Sequence, residues 1–420
     1  MPTPPAQRRQ QALLVLLAAT AAAAGGWYVL RAPNADRGAQ PAPAAPLGGA
    51  RALVPDAVTA APTGAAGATA STVEVSPMTA VVPALDDNGL RWNEEGFRLL
   101  AAGDAQGAVE RFEAASALWP EVDVYANNLA EALFRLARSR WEEAPDEALA
   151  TLDRALLALR DDARRKELEP LRERWLRTRA AEDGFWTESS PYFAVSFDGT
   201  RVDLMNHVHE VLEDLDRYYG EYFELFGAGP VDPGAPDRTR TKLRVVFYAR
   251  STFDHVTGLG DWAGGVFDGT IRVPIESLAD ERERLRSVLR HELMHAFIQH
   301  LSASQAPAWL NEGLAQWIER PGEGRKLDVA LARNRLRGHE LFPLSELRGT
   351  LAAWSDREAI ARAYAEALVL VDHLVYEKGE ALTFALVKAC LTGGPEGPEA
   401  YFLSRFPGYP LEEFLLSIPR

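Results

Sequence analysis

The sequence predicts an α+β domain over residues 185–420, preceded by an all-α region over 86–183. Three observations carry this reading. A helix–turn–helix pattern recurs between Gly89 and Ala155; short strand-like segments lie between Pro191 and Pro274; almost everything after Ser277 has helical character.

Composition sets the outer limits. A chain of 420 residues, 47% hydrophobic and 25% charged, has room for two folded units plus non-globular sequence. The net charge of −15 argues against a nucleic-acid partner, which would call for a basic face. Cys390 is the single cysteine, so neither an intramolecular disulfide framework nor a Cys-based zinc cluster is open to this chain. Any metal has to rest on histidine and carboxylate, and Cys390 itself reads as a small apolar residue in a helix.

Residues 1–30 read as a signal anchor or a signal peptide. Arg8 and Arg9 precede an uncharged run from Gln10 to Leu30, close to the ~20 residues that span a bilayer. Trp27 and Tyr28 suit an interface, which favours the anchor, whereas the small residues from Ala21 to Gly26 would suit cleavage. The expected location is the cell envelope: anchored in the inner membrane facing the periplasm or exterior, or exported after cleavage. Residues 31–84 are rich in Ala, Pro and Gly and read as a flexible linker.

Helical sequence begins near Asp86. Trp92, Gly96, Ala108, Phe112, Ala115 and Pro120 fall at offsets that resemble a tetratricopeptide repeat, with Leu99 where an aromatic is usual. A looser copy uses Ala130 and Leu133, then Ala148, Leu152 and Ala155, after an insertion from about Arg140 to Asp146. A charged helix from Asp161 to Ala181 would cap the unit. Two repeats are fewer than the three or so that stand alone, so the unit should lean on its neighbour. Binding a protein partner and simple packing are both open roles for it.

After Gly184 the character changes. PYFAVSFDG alternates as a strand does, 203–226 reads as a helix rich in Leu and aromatics, and KLRVVFYA is a short apolar strand. GGVFDGTIRVP reads as a hairpin turning at Asp268-Gly269. Helices follow from Ser277, with breaks at Pro307, Pro321 to Gly324, Pro343, and Gly393 to Pro398.

The chemistry is concentrated in HELMH at 291–295. Histidines four apart on a helix lie about 40° apart around its axis, so both rings can reach one ion. Leu285, Leu289, Leu293, Ala296 and Phe297 gather on the other side, separating a metal face from a packing face. WLNEGLAQW at 309–317 brings Glu312 on a second helix, with sixteen residues between it and His295 and Pro307 as the break. Gly313 should allow close approach to the first helix. His291, His295 and Glu312 would leave one zinc position open, as catalytic sites do.

HELMHAF followed by PAWLNEGLA resembles the gluzincin zinc peptidases, most closely their bacterial peptidase-MA-like branch, over roughly residues 190–390. The resemblance implies a thermolysin-like fold, zinc as cofactor, and a peptide or protein substrate. It makes His291, His295 and Glu312 the metal ligands and Glu292 the general base. Gly264, Gly265 and Val266 would form an edge strand that pairs with the substrate backbone. A tyrosine should assist the oxyanion: Tyr364, in AYAEALVLVDHLV, is preferred over Tyr376, in YEKG.

Three functional readings stay open: a zinc endopeptidase, an aminopeptidase with the same core, and a tethered repeat scaffold without turnover. Retention of HExxH with its distant Glu favours chemistry. Phe267, where related aminopeptidases carry an amine-binding Glu, favours internal cleavage. His207, His209, His255, His300, His339 and His373 read as structural or solvated.

Overall fold

The computed structural model describes residues 87–232, 242–259, 263–351 and 354–418. The N-terminal segment and the linker lie outside the described residues. Among those described, no helix is long and apolar enough to cross a membrane.

Five helices open the structure: α1 (Asp87–Ala101), α2 (Ala105–Leu118), α3 (Asp123–Arg140), α4 (Pro145–Ala158) and α5 (Asp162–Ala181). Short turns join them into packed neighbours, with Asp104 and Asp161 capping α2 and α5 through their carboxylates. Small residues set the spacing. A side chain on Gly96 would begin 2.7 Å from the Phe112 ring, so only glycine lets α1 and α2 close to this distance. Ala108, Ala130, Ala148 and Ala155 are buried beside Phe112, Leu133 and Leu152.

One mixed sheet follows, built from β1 (Phe185–Ser189), β2 (Phe193–Asp198), β3 (Leu243–Tyr248), β4 (Val266–Phe267) and β5 (Ile271–Pro274). Its order is β1-β2-β3-β5-β4, parallel in the middle and antiparallel at both edges, with β4 outermost. α6 (Val202–Phe226) and α7 (Arg250–Thr257) are inserted along it. Alternation decides the faces. Phe193, Val195, Phe197, Val245, Phe247, Ile271 and Val273 enter the main core with α6 and α8 (Leu278–Ser302). Val246, Tyr248 and Val266 pack the other way, against Phe253 and Val256 of α7.

Beyond α8 come α9 (Ala308–Glu319), α10 (Glu323–Leu336), α11 (Arg357–Lys378), α12 (Glu380–Gly393), α13 (Gly397–Arg405) and α14 (Leu411–Leu416). The architecture is α+β. Two elements depart from the sequence reading. FWTES forms β1, although its mostly exposed residues carry no alternation. Gly379 ends α11 at φ 86, a left-handed conformation that glycine takes without strain, so α11 and α12 are separate helices.

Candidate metal centre

α8 begins at Ser277, whose hydroxyl accepts from the Asp280 N–H. From Val288 to Ile298 every residue is buried. Both faces read from the sequence are therefore interior: Leu285, Leu289, Leu293 and Phe297 enter the core, and the histidines face α9. The chain reverses after α8 through Ala303 and Ser304, both at positive φ (49° and 63°), and Pro307 starts α9. Gly313 does permit a close approach, but not to α8. A side chain there would begin 2.4 Å from the Ala367 carbonyl, so the helix brought close is α11.

These packings bring three ligand atoms together. Nε2 of His291 and His295 are 3.1 Å apart, and Glu312 Oε2 lies 3.9 and 3.8 Å from them. A triangle with those sides has a centre about 2.1 Å from each corner, the length of a zinc–nitrogen or zinc–oxygen bond. The outer nitrogens are held as metal-binding imidazoles require. His291 Nδ1 is 3.2 Å from Glu319 Oε2, and His295 Nδ1 is 3.0 Å from Asn311 Oδ1. Protons on the Nδ1 atoms leave two lone pairs facing each other and a carboxylate, an arrangement that a cation resolves.

Electrostatics point the same way. Burial pushes His291 and His295 down to about 3, so both rings are neutral and able to ligate at ordinary pH. Burial pushes Glu292 and Glu312 well above the usual carboxylate range, with Glu319 and Asp268 adding to the effect at Glu292, and Glu292 adding to it at Glu312. Glu319 is raised to about 8, again by burial. The Tyr364 hydroxyl approaches Glu312 and the Phe267 N–H approaches Glu292, yet neither carboxylate has a partner at full hydrogen-bond geometry. Unpartnered buried carboxylates are costly, and their concentration at one place makes this group a candidate ligand site.

Tyr364 is buried against Glu312 and raised well above the ordinary tyrosine range, first by burial and then by that carboxylate. Gln316 donates from Nε2 to the backbone oxygens of Tyr364 and Glu312, at 3.0 and 3.2 Å, fastening α11 to α9. Tyr376 is 85% exposed and does not join the cluster. Gly264 and Gly265 lead into Val266 of the edge strand β4. A side chain on Gly265 would begin 2.6 Å from Val288 and 3.1 Å from Glu292 Oε1, so the backbone passes directly beside the candidate base.

The sequence reading missed Asn311, Gln316 and Glu319. A signal for two of them existed: Asn311 adjoins Glu312, and Glu319 follows it by seven residues, about two turns on the same face. The remaining histidines stay apart: His209, His255, His300 and His339 are exposed, and His207 pairs with Glu210 at 3.0 Å. His373 is buried and stacks on Phe414. Cys390 is buried in α12, its thiol pushed up to about 12 by burial. No protein-family model matches this chain, and no curated protein sequence matches it.

Proposed function

We propose that the chain is a zinc-dependent endopeptidase of the gluzincin type, with a thermolysin-like domain over 185–420 and tetratricopeptide-like repeats over 86–183. The convergence of His291, His295 and Glu312 beside the unpartnered carboxylate of Glu292 is the observation that carries this reading. The same three residues would hold zinc, which when bound supplies Lewis acidity to a water and to the scissile carbonyl.

The chain's own groups account for the proton movements. Glu292 takes a proton from the attacking water and passes it to the leaving amine as the C–N bond breaks; its raised proton affinity suits that shuttle. Tyr364 stays protonated and donates to the developing oxyanion. Asn311 and Glu319 keep the imidazoles in one tautomer. The Gly264–Val266 edge pairs with an extended substrate backbone, and the absence of a side chain at Gly265 lets that backbone lie close against Glu292.

Internal cleavage is favoured over aminopeptidase action by two neighbours of that edge. Phe267 is apolar, and Asp268 is engaged by Arg272 at 3.3 Å and Arg174 at 3.7 Å. The proposed place in the cell envelope rests only on the apolar character of residues 10–30, which lie outside the described residues. The test is metal analysis of the purified chain and of Glu312→Ala, beside a chelator-sensitive assay on an internally quenched peptide. One zinc per chain is expected, lost in the variant, with cleavage abolished by the chelator. Equal metal content in the two proteins would remove Glu312 from the ligand set.

A further inference from the structure

The β4–β5 hairpin, which carries the edge beside Glu292, is gripped from outside by the helical half. Residues 268, 270 and 272 each meet one residue of that half. Arg174 of α5 lies 3.7 Å from Asp268, Thr270 Oγ1 donates to Glu142 Oε1 at 2.9 Å, and Arg272 Nη1 donates to Glu182 Oε1 at 3.0 Å. Phe267 and Ile271, of opposite parity along the chain, face the other way, into the core shared with α6 and α8. The hairpin is thus clamped between the helical half and the helix that bears HExxH.

Glu142 is the unusual member of this grip. It sits in the turn between α3 and α4, inside the insertion that interrupts the repeat spacing, 128 residues before Thr270. Its second oxygen accepts from Arg244 Nη1 at 3.0 Å, which fixes its direction. Next to it, Trp141 stacks on Trp175 of α5 with ring centres 4.4 Å apart, holding the turn itself in place. Thr270 is fully buried, and Glu142 reaches its hydroxyl.

We propose that Glu142 is a positioning residue of the candidate site. By holding the β4–β5 turn it sets the depth at which the Gly264–Val266 backbone lies over Glu292, and the helical half becomes part of the substrate-binding apparatus. The substrate role of the edge rests on the peptidase reading above; the mechanical link does not.

The experiment uses the full chain with Glu142→Ala, Thr270→Val and the double variant. Amide hydrogen exchange over 264–272 is compared with exchange over 278–302, and zinc content and peptide kinetics are measured alongside. Each single variant should exchange about tenfold faster in the hairpin, the double no faster than either single, with α8 and zinc content unchanged. With an internally quenched peptide long enough to lie along the edge, KM should rise severalfold while kcat changes less. Unchanged hairpin exchange, a change spread equally over α8, or additive effects in the double variant would overturn the link. Altered exchange with unaltered kinetics would overturn the positioning role. If the unmodified zinc-loaded chain cleaves no peptide, the peptidase reading fails, and the exchange pattern still decides whether Glu142 governs the hairpin.

Discussion

Two glutamates on either side of the β4–β5 hairpin, one mostly and one fully buried, have opposite surroundings. Glu182, at the end of α5, accepts from Arg244, Arg272 and Tyr248. Glu292, on α8, has no partner at hydrogen-bond geometry for either oxygen. The first is a charge whose desolvation is offset where it stands, so it serves the fold. The second keeps its desolvation cost in the folded state, and Glu312 beside it has only the Tyr364 hydroxyl approaching it to offset the same cost. Polar residues alone therefore do not distinguish structure from site in this molecule; satisfaction does.

The largest effect should come from breaking the unsatisfied side. Glu292→Gln keeps the shape and removes the base, so peptide hydrolysis should fall by about 10²- to 10⁴-fold. Zinc content, measured on the same preparation, should not change, because Glu292 is not among the three converging ligand atoms. Turnover close to that of the unmodified chain would take Glu292 out of the mechanism.

Matched substitutions on the two sides should differ in sign. Glu182→Gln leaves Arg244 and Arg272 short of a counter-charge in a buried network. It should cost about 2 kcal/mol or more in denaturant unfolding, somewhat below a bare broken pair because Asp268 and Glu142 remain nearby. Glu312→Gln in chelated protein removes a buried carboxylate that only the Tyr364 hydroxyl approaches, and the amide can still accept from that hydroxyl, so stability should be unchanged or higher. With zinc present the order reverses for Glu312, since the native ligand set gains binding free energy that the variant loses. Equal destabilisation by both substitutions in chelated protein would erase the distinction between the two glutamates.

The same distinction explains what could be read from the sequence. HELMH and the distant Glu312 stood out because metal ligation would need those residue types at that spacing; β2 stood out by its alternation, β3 as a short apolar run, and the hairpin by its Asp268-Gly269 turn. The partner of Gly313 was not legible. A missing side chain states that something comes close, and only the tertiary packing decides that it is the Ala367 carbonyl of α11. Between Tyr364 and Tyr376 the sequence left two candidates, twelve residues apart on one helix; burial against Glu312 separates them. Glu142 was invisible as a contact, because a carboxylate in an insertion gives no local sign of a threonine 128 residues away.

A smaller effect is expected where satisfied and unsatisfied groups meet. Asn311 and Glu319 hold the outer nitrogens of His295 and His291 at 3.0 and 3.2 Å. Asn311→Ala should leave the ligand atoms in place and lower zinc affinity by about 10- to 100-fold, read by competition with a fluorescent chelator. An affinity within twofold of the unmodified chain would mean that α8 and α9 orient His295 without that hydrogen bond.

The smallest expected effect is the absence of one. Two peptides of identical sequence, one with a free and one with an acetylated N-terminus, should be cleaved at the same internal bonds at similar rates. An aminopeptidase needs an acid to receive the substrate ammonium, and Asp268 is the nearest acid along the edge strand. Its carboxylate belongs to the satisfied side: Arg272 and Arg174 face it, the Thr270 N–H reaches it at 3.3 Å, and their influence outweighs burial to hold it below the usual carboxylate range. Taking on an ammonium there would mean giving up these contacts, while Phe267 offers the cation only an apolar ring. Burying that charge unpaired costs more than a single strand contact returns. A peptide lying along Gly264–Val266 should accordingly be insensitive to whether its amine is free. Release of single residues from the free peptide alone would show that Asp268 can be recruited, and would turn the reading toward aminopeptidase action.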